Sequence, residues 1–220
     1  GEKYIASLSP ALVNAMGSGS YIVTVTARDA AGNEAASLRK DFGIATNTTP
    51  TAGKIQDGYI SGATVLSDLD ADGVLDPGEV STSSDALGNF RLTVSAGQIV
   101  ALGGRDISTN LPLTSVLKAP AGATVVTPLT TLVATLAEAG LPVAQAQTQV
   151  LQKLGLPSTL SLSQFDPLEA VARLGASDTD KLTALSVYKA SALVANVLSQ
   201  TAAALSSASS TVSSQQAASA

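Results

Sequence analysis

The chain has no cysteine, no histidine and no tryptophan among its 220 residues, and aromatics make up only 3%. Each absence removes a class of chemistry. Without cysteine there are no disulfides and no thiolate metal sites. Without histidine there is no imidazole base, no serine–histidine–aspartate triad and no imidazole metal ligand. Few aromatics leave little from which to build a stacking platform for sugars or bases. Basic residues are also scarce: 12 Lys and Arg stand against 17 Asp and Glu, a net charge of −5. Nucleic acid and anionic lipid both call for clustered positive charge, so neither is expected as a partner. No uninterrupted run of about 20 strongly apolar residues stands out, and no membrane span is expected.

Small residues dominate instead: Ala, Ser, Thr, Val, Leu and Gly. They suit modest cores and repetitive secreted modules. The chain opens on Gly1 with neither a basic nor an apolar leader, which reads as a piece cut from a longer polypeptide.

The hydrophobic period divides the chain. In residues 1–45, Tyr21, Val23 and Val25 alternate with Ile22, Thr24 and Thr26, as a strand requires. "DAAGNE" supplies a turn, and Leu38, Phe42 and Ile44 mark a second strand. A lone hairpin is marginal in water, so its companion strands are expected upstream. Residues 46–53, rich in Thr, Asn, Pro and Gly, read as a linker. Residues 54–126 carry several short strand candidates separated by turns: "GYISGATVLSD", the segment at Val80 and Thr82, "FRLTV", "QIVALGG" and "ATVVTP". That spacing predicts a β-sandwich.

From Thr127 the period becomes helical. Thr127 caps, Pro128 opens, Leu129, Leu132, Val133 and Leu136 form a stripe, and Gly140 stops. The pattern repeats from Pro142 to Gly155 and from Asp166 and Pro167 to Gly175. A longer helix follows from about Thr179, with Leu182, Leu185, Tyr188, Ala192 and Ala195 predicted on one side. Val187, Val194, Val197 and Leu198 widen that face. The helical domain is expected over residues 127–206, and residues 207–220 form a low-complexity tail. The fold class expected is thus multidomain, β then α.

The chemistry concentrates in residues 67–80, SDLDADGVLDPGEV. Read as a twelve-residue calcium loop, Asp68, Asp70 and Asp72 take positions 1, 3 and 5. Gly73 makes the turn, Val74 offers its carbonyl, Asp76 takes position 9 and Glu79 closes bidentately. Leu75 is expected to point inward as an apolar anchor. All-oxygen ligands disfavour zinc and copper, and magnesium demands a tighter octahedron. No Lys or Arg lies in the chain between Lys54 and Arg91, so a divalent cation would turn repulsion into cohesion. Gly58, Gly62, Pro77 and the Ser/Thr run oppose flanking helices, so calcium here should staple strands. Asp57, Asp85 and Asp106 sit beside turn residues and are not expected to be catalytic. Tyr21, Tyr59 and Phe90 are expected in strand cores. The glycines of "GSGS" (17–20) and "LGGRD" (102–106) read as turns.

Two resemblances follow from these residues. "GSYIVTVTARDAAGN", from Gly19 to Asn33, resembles the C-terminal end of a bacterial immunoglobulin-like repeat. "ISGATVLSDLDADGVLDPGEVSTSSDALGNFRLTV" resembles the B-type repeats of bacterial surface adhesins, which are prealbumin-like sandwiches. Thr82, Asp85, Gly88 and Phe90 carry the closing pattern of that match. The resemblance implies a non-enzymatic, calcium-stabilised spacer of an exported surface protein, extracellular or on the bacterial surface. Its implied partners are calcium, neighbouring domains and a host or matrix ligand. It also implies, as an option, an isopeptide crosslink in which Lys54 or Lys118 would join Asn110. Other readings remain open: an accessory region of a secreted hydrolase, or a carbohydrate-binding module.

Overall fold

In the computed structural model the described residues are 19–29, 31–44, 50–77, 79–93 and 97–208. Residues 1–18, most of the expected linker (46–49), Val94 and the tail from 209 onward lie outside them.

Strands β1 (Gly19–Val25) and β2 (Leu38–Ile44) form the expected hairpin, with Tyr21 opposite Phe42 and Val25 opposite Leu38. Asp29 organises its turn. Its Oδ1 accepts from the Ala31 and Asn33 amides, and its Oδ2 accepts from Asn33 Nδ2. The same device recurs at Asp85, which accepts from the Leu87 and Asn89 amides and from Asn89 Nδ2. In both, a glycine at positive φ (Gly32, 87°; Gly88, 79°) lets the chain reverse. The sequences differ at one central residue, DAAGN and DALGN.

The next unit contains β3 (Thr51–Ile55), β4 (Ile60–Ser61), β5 (Thr64–Asp68), β6 (Val80–Ser83) and β7 (Asn89–Leu92). It continues with β8 (Gln98–Leu102), β9 (Arg105–Asp106), β10 (Leu117–Ala119) and β11 (Val125–Val126). One sheet has the order β10-β8-β5-β6, a second β11-β3-β7, and β4 pairs with β9. All pairings are antiparallel except β11 with β3. The two larger sheets share one core. Val65, Ile99, Ala101 and Leu117 from the first meet Ile55, Phe90, Leu92 and Val126 from the second. Strand β3 begins inside the expected linker: Thr51 pairs with Leu92, and Gly53 with Phe90. Gly53 has a steric reason to be glycine, since a Cβ there would lie 2.3 Å from the Thr124 carbonyl oxygen.

Helices α1 (Pro128–Glu138), α2 (Val143–Lys153), α3 (Pro167–Ala172) and α4 (Asp178–Ala208) follow. Thr127 and Thr130 form a reciprocal cap at α1, and the Asp166 carboxylate accepts from the Glu169 amide at α3. Gly140, Gly155 and Gly175 end their units at positive φ. Leu129, Val133, Val150, Leu151 and Val187 make the helical core.

On α4 the expected face is wrong. Leu182, Leu185, Leu193 and Val197 are exposed, while Ala184, Val187, Ser191, Ala195 and Ala202 are buried. Small residues let α1 and α3 approach α4 closely, and the larger ones turn outward. By length and composition residues 178–204 would also suffice to cross a membrane, although one face of α4 is packed on the other helices.

The helical zone has a defined task on the sheet. Strand β10 is the edge of the four-stranded sheet, so part of its backbone lacks a strand partner. Helix α1 supplies it: the Lys118 amide donates to Thr131 Oγ1 (2.9 Å), and Thr130 Oγ1 donates to the Lys118 carbonyl (2.8 Å). The Lys118 side chain, 3% exposed, donates to Glu138 Oε1 at 2.9 Å. Lys54 lies over the Tyr59 ring at 4.3 Å, and Asn110 offers its carbonyl to Arg105.

Thr130→Val keeps the shape but removes the hydroxyl that serves both the α1 cap and the β10 edge. Urea denaturation should show a loss of about 2 kcal/mol. Thr148→Val, which removes an exposed hydroxyl on α2, should change stability by less than about 0.5 kcal/mol.

Candidate metal centre

The acidic loop joins neighbouring strands. Ser67 of β5 pairs with Val80 of β6, so residues 68–79 must leave and rejoin one sheet at adjacent points. Asp68, the last residue of β5, is 1% exposed and also pairs across to Gln98 of β8. Gln98 Nε2 donates to Asp68 Oδ2 at 3.0 Å. The approach is close enough that a Cβ on Gly97 would lie 1.8 Å from the Asp68 carbonyl oxygen.

From that anchor the loop folds around its own carboxylates. Asp68 Oδ1 accepts from the Ala71 amide (2.8 Å) and Oδ2 from the Gly73 amide (3.0 Å). Glu79 Oε1 accepts from the Leu69 amide (2.6 Å) and Oε2 from the Asp76 amide (3.0 Å). Asp72 Oδ1 accepts from the Val74 amide at 2.7 Å. Two residues take the left-handed conformation, Gly73 (φ 75°) and Ala71 (φ 65°). For alanine that conformation costs of order 1–2 kcal/mol.

The winding brings the five expected carboxylates into two overlapping groups. Oxygens of Asp68, Asp70 and Glu79 lie within 4.8 Å of one another, as do those of Asp70, Asp72 and Asp76. Asp70 belongs to both groups and is their centre. Val74 lies in the same loop with its side chain exposed. Leu75 is 51% exposed and does not anchor inward. The loop is flanked by strands, so there is no helix pair for that side chain to pack between.

Electrostatics records the crowding. Burial raises the Asp70 carboxyl above its usual range, and the charges of Asp72, Asp68 and Asp76 add to the effect. Burial also raises Glu79; the Leu69 and Asp76 amides oppose it, and the charges of Asp68 and Asp70 reinforce it. Lys40, from the N-terminal hairpin, comes only to 3.9 Å from Asp76 Oδ2 and is 72% exposed. Such a pair contributes little against the crowding. Ser20 Oγ donates to the Leu69 carbonyl at 2.6 Å, so the loop lies where the hairpin meets the second β unit.

The acidic cluster can hold a metal ion, and its all-oxygen donor set suits a hard cation. Gln98, Ser20 and Lys40 were not visible as members of this site from sequence. Gln98 reaches Asp68 only through strand order, across thirty intervening positions. In comparisons with family models, curated proteins and solved structures, none matches this chain.

The raised carboxyls have a pH consequence. Without a divalent cation, the folded protein holds more protons than the unfolded chain between the ordinary values of Asp70 and Glu79 (3.8 and 4.5) and their raised folded values. Stability contributed by these groups is therefore lost as pH rises through that window. In chelator, the melting temperature of Asp70→Asn with Glu79→Gln, minus that of the parent, should grow from pH 4 to pH 7. A difference that stays constant contradicts the assignment.

Proposed function

We propose that residues 68–79 bind calcium, and that the chain is a calcium-stapled structural spacer of a large exported bacterial surface protein, acting in adhesion. The observation that carries this reading is the convergence of five carboxylates on Asp70 within a loop whose two ends are paired strands. The ligands are the carboxylates of Asp68, Asp70, Asp72, Asp76 and Glu79 with the Val74 carbonyl. Five negative charges and a flexible oxygen-rich loop favour calcium over the smaller magnesium.

The flanks decide what calcium does. A sensor opens a helix pair to expose a groove, whereas here the neighbours are β5 and β6. Bound calcium would hold the strands together and carry Leu69 against Ser20 of the preceding hairpin. Calcium modules outside cells bind at roughly 10⁻⁴–10⁻³ M, which suits an extracellular or cell-surface location. In this reading β1 and β2 are the end of an immunoglobulin-like repeat, and residues 51–126 are a prealbumin-like sandwich of the adhesin B type. The shared core of two mainly antiparallel sheets supports that type. The carboxylates are structural and the module is not an enzyme. Its partners are calcium, the neighbouring domains and a surface ligand of the host or matrix.

With a Kd of about 10⁻⁴ M, roughly 2 mM calcium adds about 1.8 kcal/mol. For a chain of this size that is a rise of about 4–7 °C in melting temperature over chelator. Asp70→Ala with Glu79→Ala should abolish the rise. An unchanged melting temperature in the parent protein overturns the reading.

A further inference from the structure

Between the β3–β4 turn and helix α4 lies a cavity of about 50 Å³, lined by Gln56, Asp57, Gly58, Tyr188, Ser191 and Ala192. Its polar groups are mostly acceptors without donors. Gln56 is 2% exposed, and its Nε2 donates to Asp166 Oδ1 at 3.1 Å. That bond fixes the amide, because the reverse orientation would set oxygen against carboxylate. Gln56 Oε1 is consequently left buried with no hydrogen-bond partner. Such an orphan costs about 1–3 kcal/mol if nothing meets it.

Asp57 compounds the deficit. It is partly buried, and among the described residues its carboxylate has neither a hydrogen bond nor an ion pair. Its charged neighbour is another acid. Asp106 Oδ2 lies so near the turn that a Cβ on Gly58 would be 1.6 Å from it. Asp106 Oδ1 is occupied by the Ser108 and Thr109 amides at 2.7 Å each. Burial first, and the Asp106 charge second, raise the Asp57 carboxyl. A buried carboxylate without a partner is costly, and a neighbouring like charge increases the cost.

We propose that this cavity is a second calcium site, held by the Asp57 and Asp106 carboxylates, Gln56 Oε1 and the Ser191 hydroxyl, which ties the β unit to helix α4. Two carboxylates match the charge of one divalent ion. A carbonyl and a hydroxyl supply the neutral oxygens that a hard cation accepts. The volume admits one ion with at most a water beside it. The site shares no residue with the loop of Asp68 to Glu79, so it stands or falls separately. It would give the turn that carries Asp57, which otherwise looks like an ordinary surface reversal, a role in fixing the long helix.

Calorimetric calcium titration of the full 220-residue chain reads the stoichiometry. The parent should bind two equivalents. Asp70→Ala with Glu79→Ala should retain one, and adding Asp57→Asn should remove it. Asp106→Asn, whose amide oxygen can still accept from Ser108 and Thr109, should likewise reduce the parent from two to one. Circular dichroism confirms that each variant is folded. One equivalent in the parent that vanishes with the loop substitutions overturns the second site and leaves the loop reading standing. One equivalent in the parent that survives the loop substitutions and vanishes with Asp57→Asn overturns the loop reading alone. Asp57→Asn that raises stability without changing stoichiometry means the two acids share a proton, and overturns the proposal.

Discussion

The crowding of carboxylates around Asp70 is the constraint on which the rest of the β unit depends, because the loop that carries them cannot open to relieve it. Ser67 is tied to Val80, and Asp68 to Gln98, so both ends are pinned by one sheet. Like charges a few ångströms apart cost on the order of 1–4 kcal/mol per pair near a surface. That repulsion loads onto β5, which lies between β8 and β6. Val65 and Leu66 of the same strand occupy separate buried clusters on opposite faces of the sheet. Relief of the charge in the loop is therefore relief of a strand that two cores require.

A second set of polar contacts makes the helical zone part of the same body. Helix α1 closes the β10 edge with Thr130 and Thr131, and Lys118 reaches from that edge to Glu138. Asp166, the cap of α3, accepts from Gln56 Nε2 and from the Tyr59 hydroxyl at 2.8 Å. Burial and the Asp166 carboxylate push the Tyr59 hydroxyl upward, so it stays a donor across the physiological range. A run of Ala- and Leu-rich helices after a β unit thus has a physical purpose: it satisfies backbone and side chains that the sheets leave open.

Local chemistry was legible in the sequence, and long-range register was not. Thr127 with Pro128, Asp166 with Pro167, and the stopping glycines each act within a few residues, so α1 and α3 begin where their caps indicate. The acidic loop was equally readable, since one turn of chain brings Asp68, Asp70, Asp72, Asp76 and Glu79 together. The start of β3 at Thr51 was hidden because Thr and Pro mimic a linker until Leu92 is known to pair with it. The buried side of α4 was hidden for another reason. Apolar residues surround that helix, so periodicity selects no face; close approach to neighbours selects Ala184 and Ala195 over Leu182 and Leu193. Leu75 was misplaced by transferring to a strand-flanked loop a packing that belongs to paired helices.

The central claim is that a cation, and not the backbone alone, holds the loop closed. Amide hydrogen exchange tests it most directly at Leu69, Ala71, Gly73 and Asp76, whose N–H groups donate to Glu79 and Asp68. In millimolar calcium these four amides should exchange at least tenfold more slowly than in chelator, while Lys118, protected by Thr131, changes far less. Equal exchange at the four loop amides in calcium and in chelator would contradict the account.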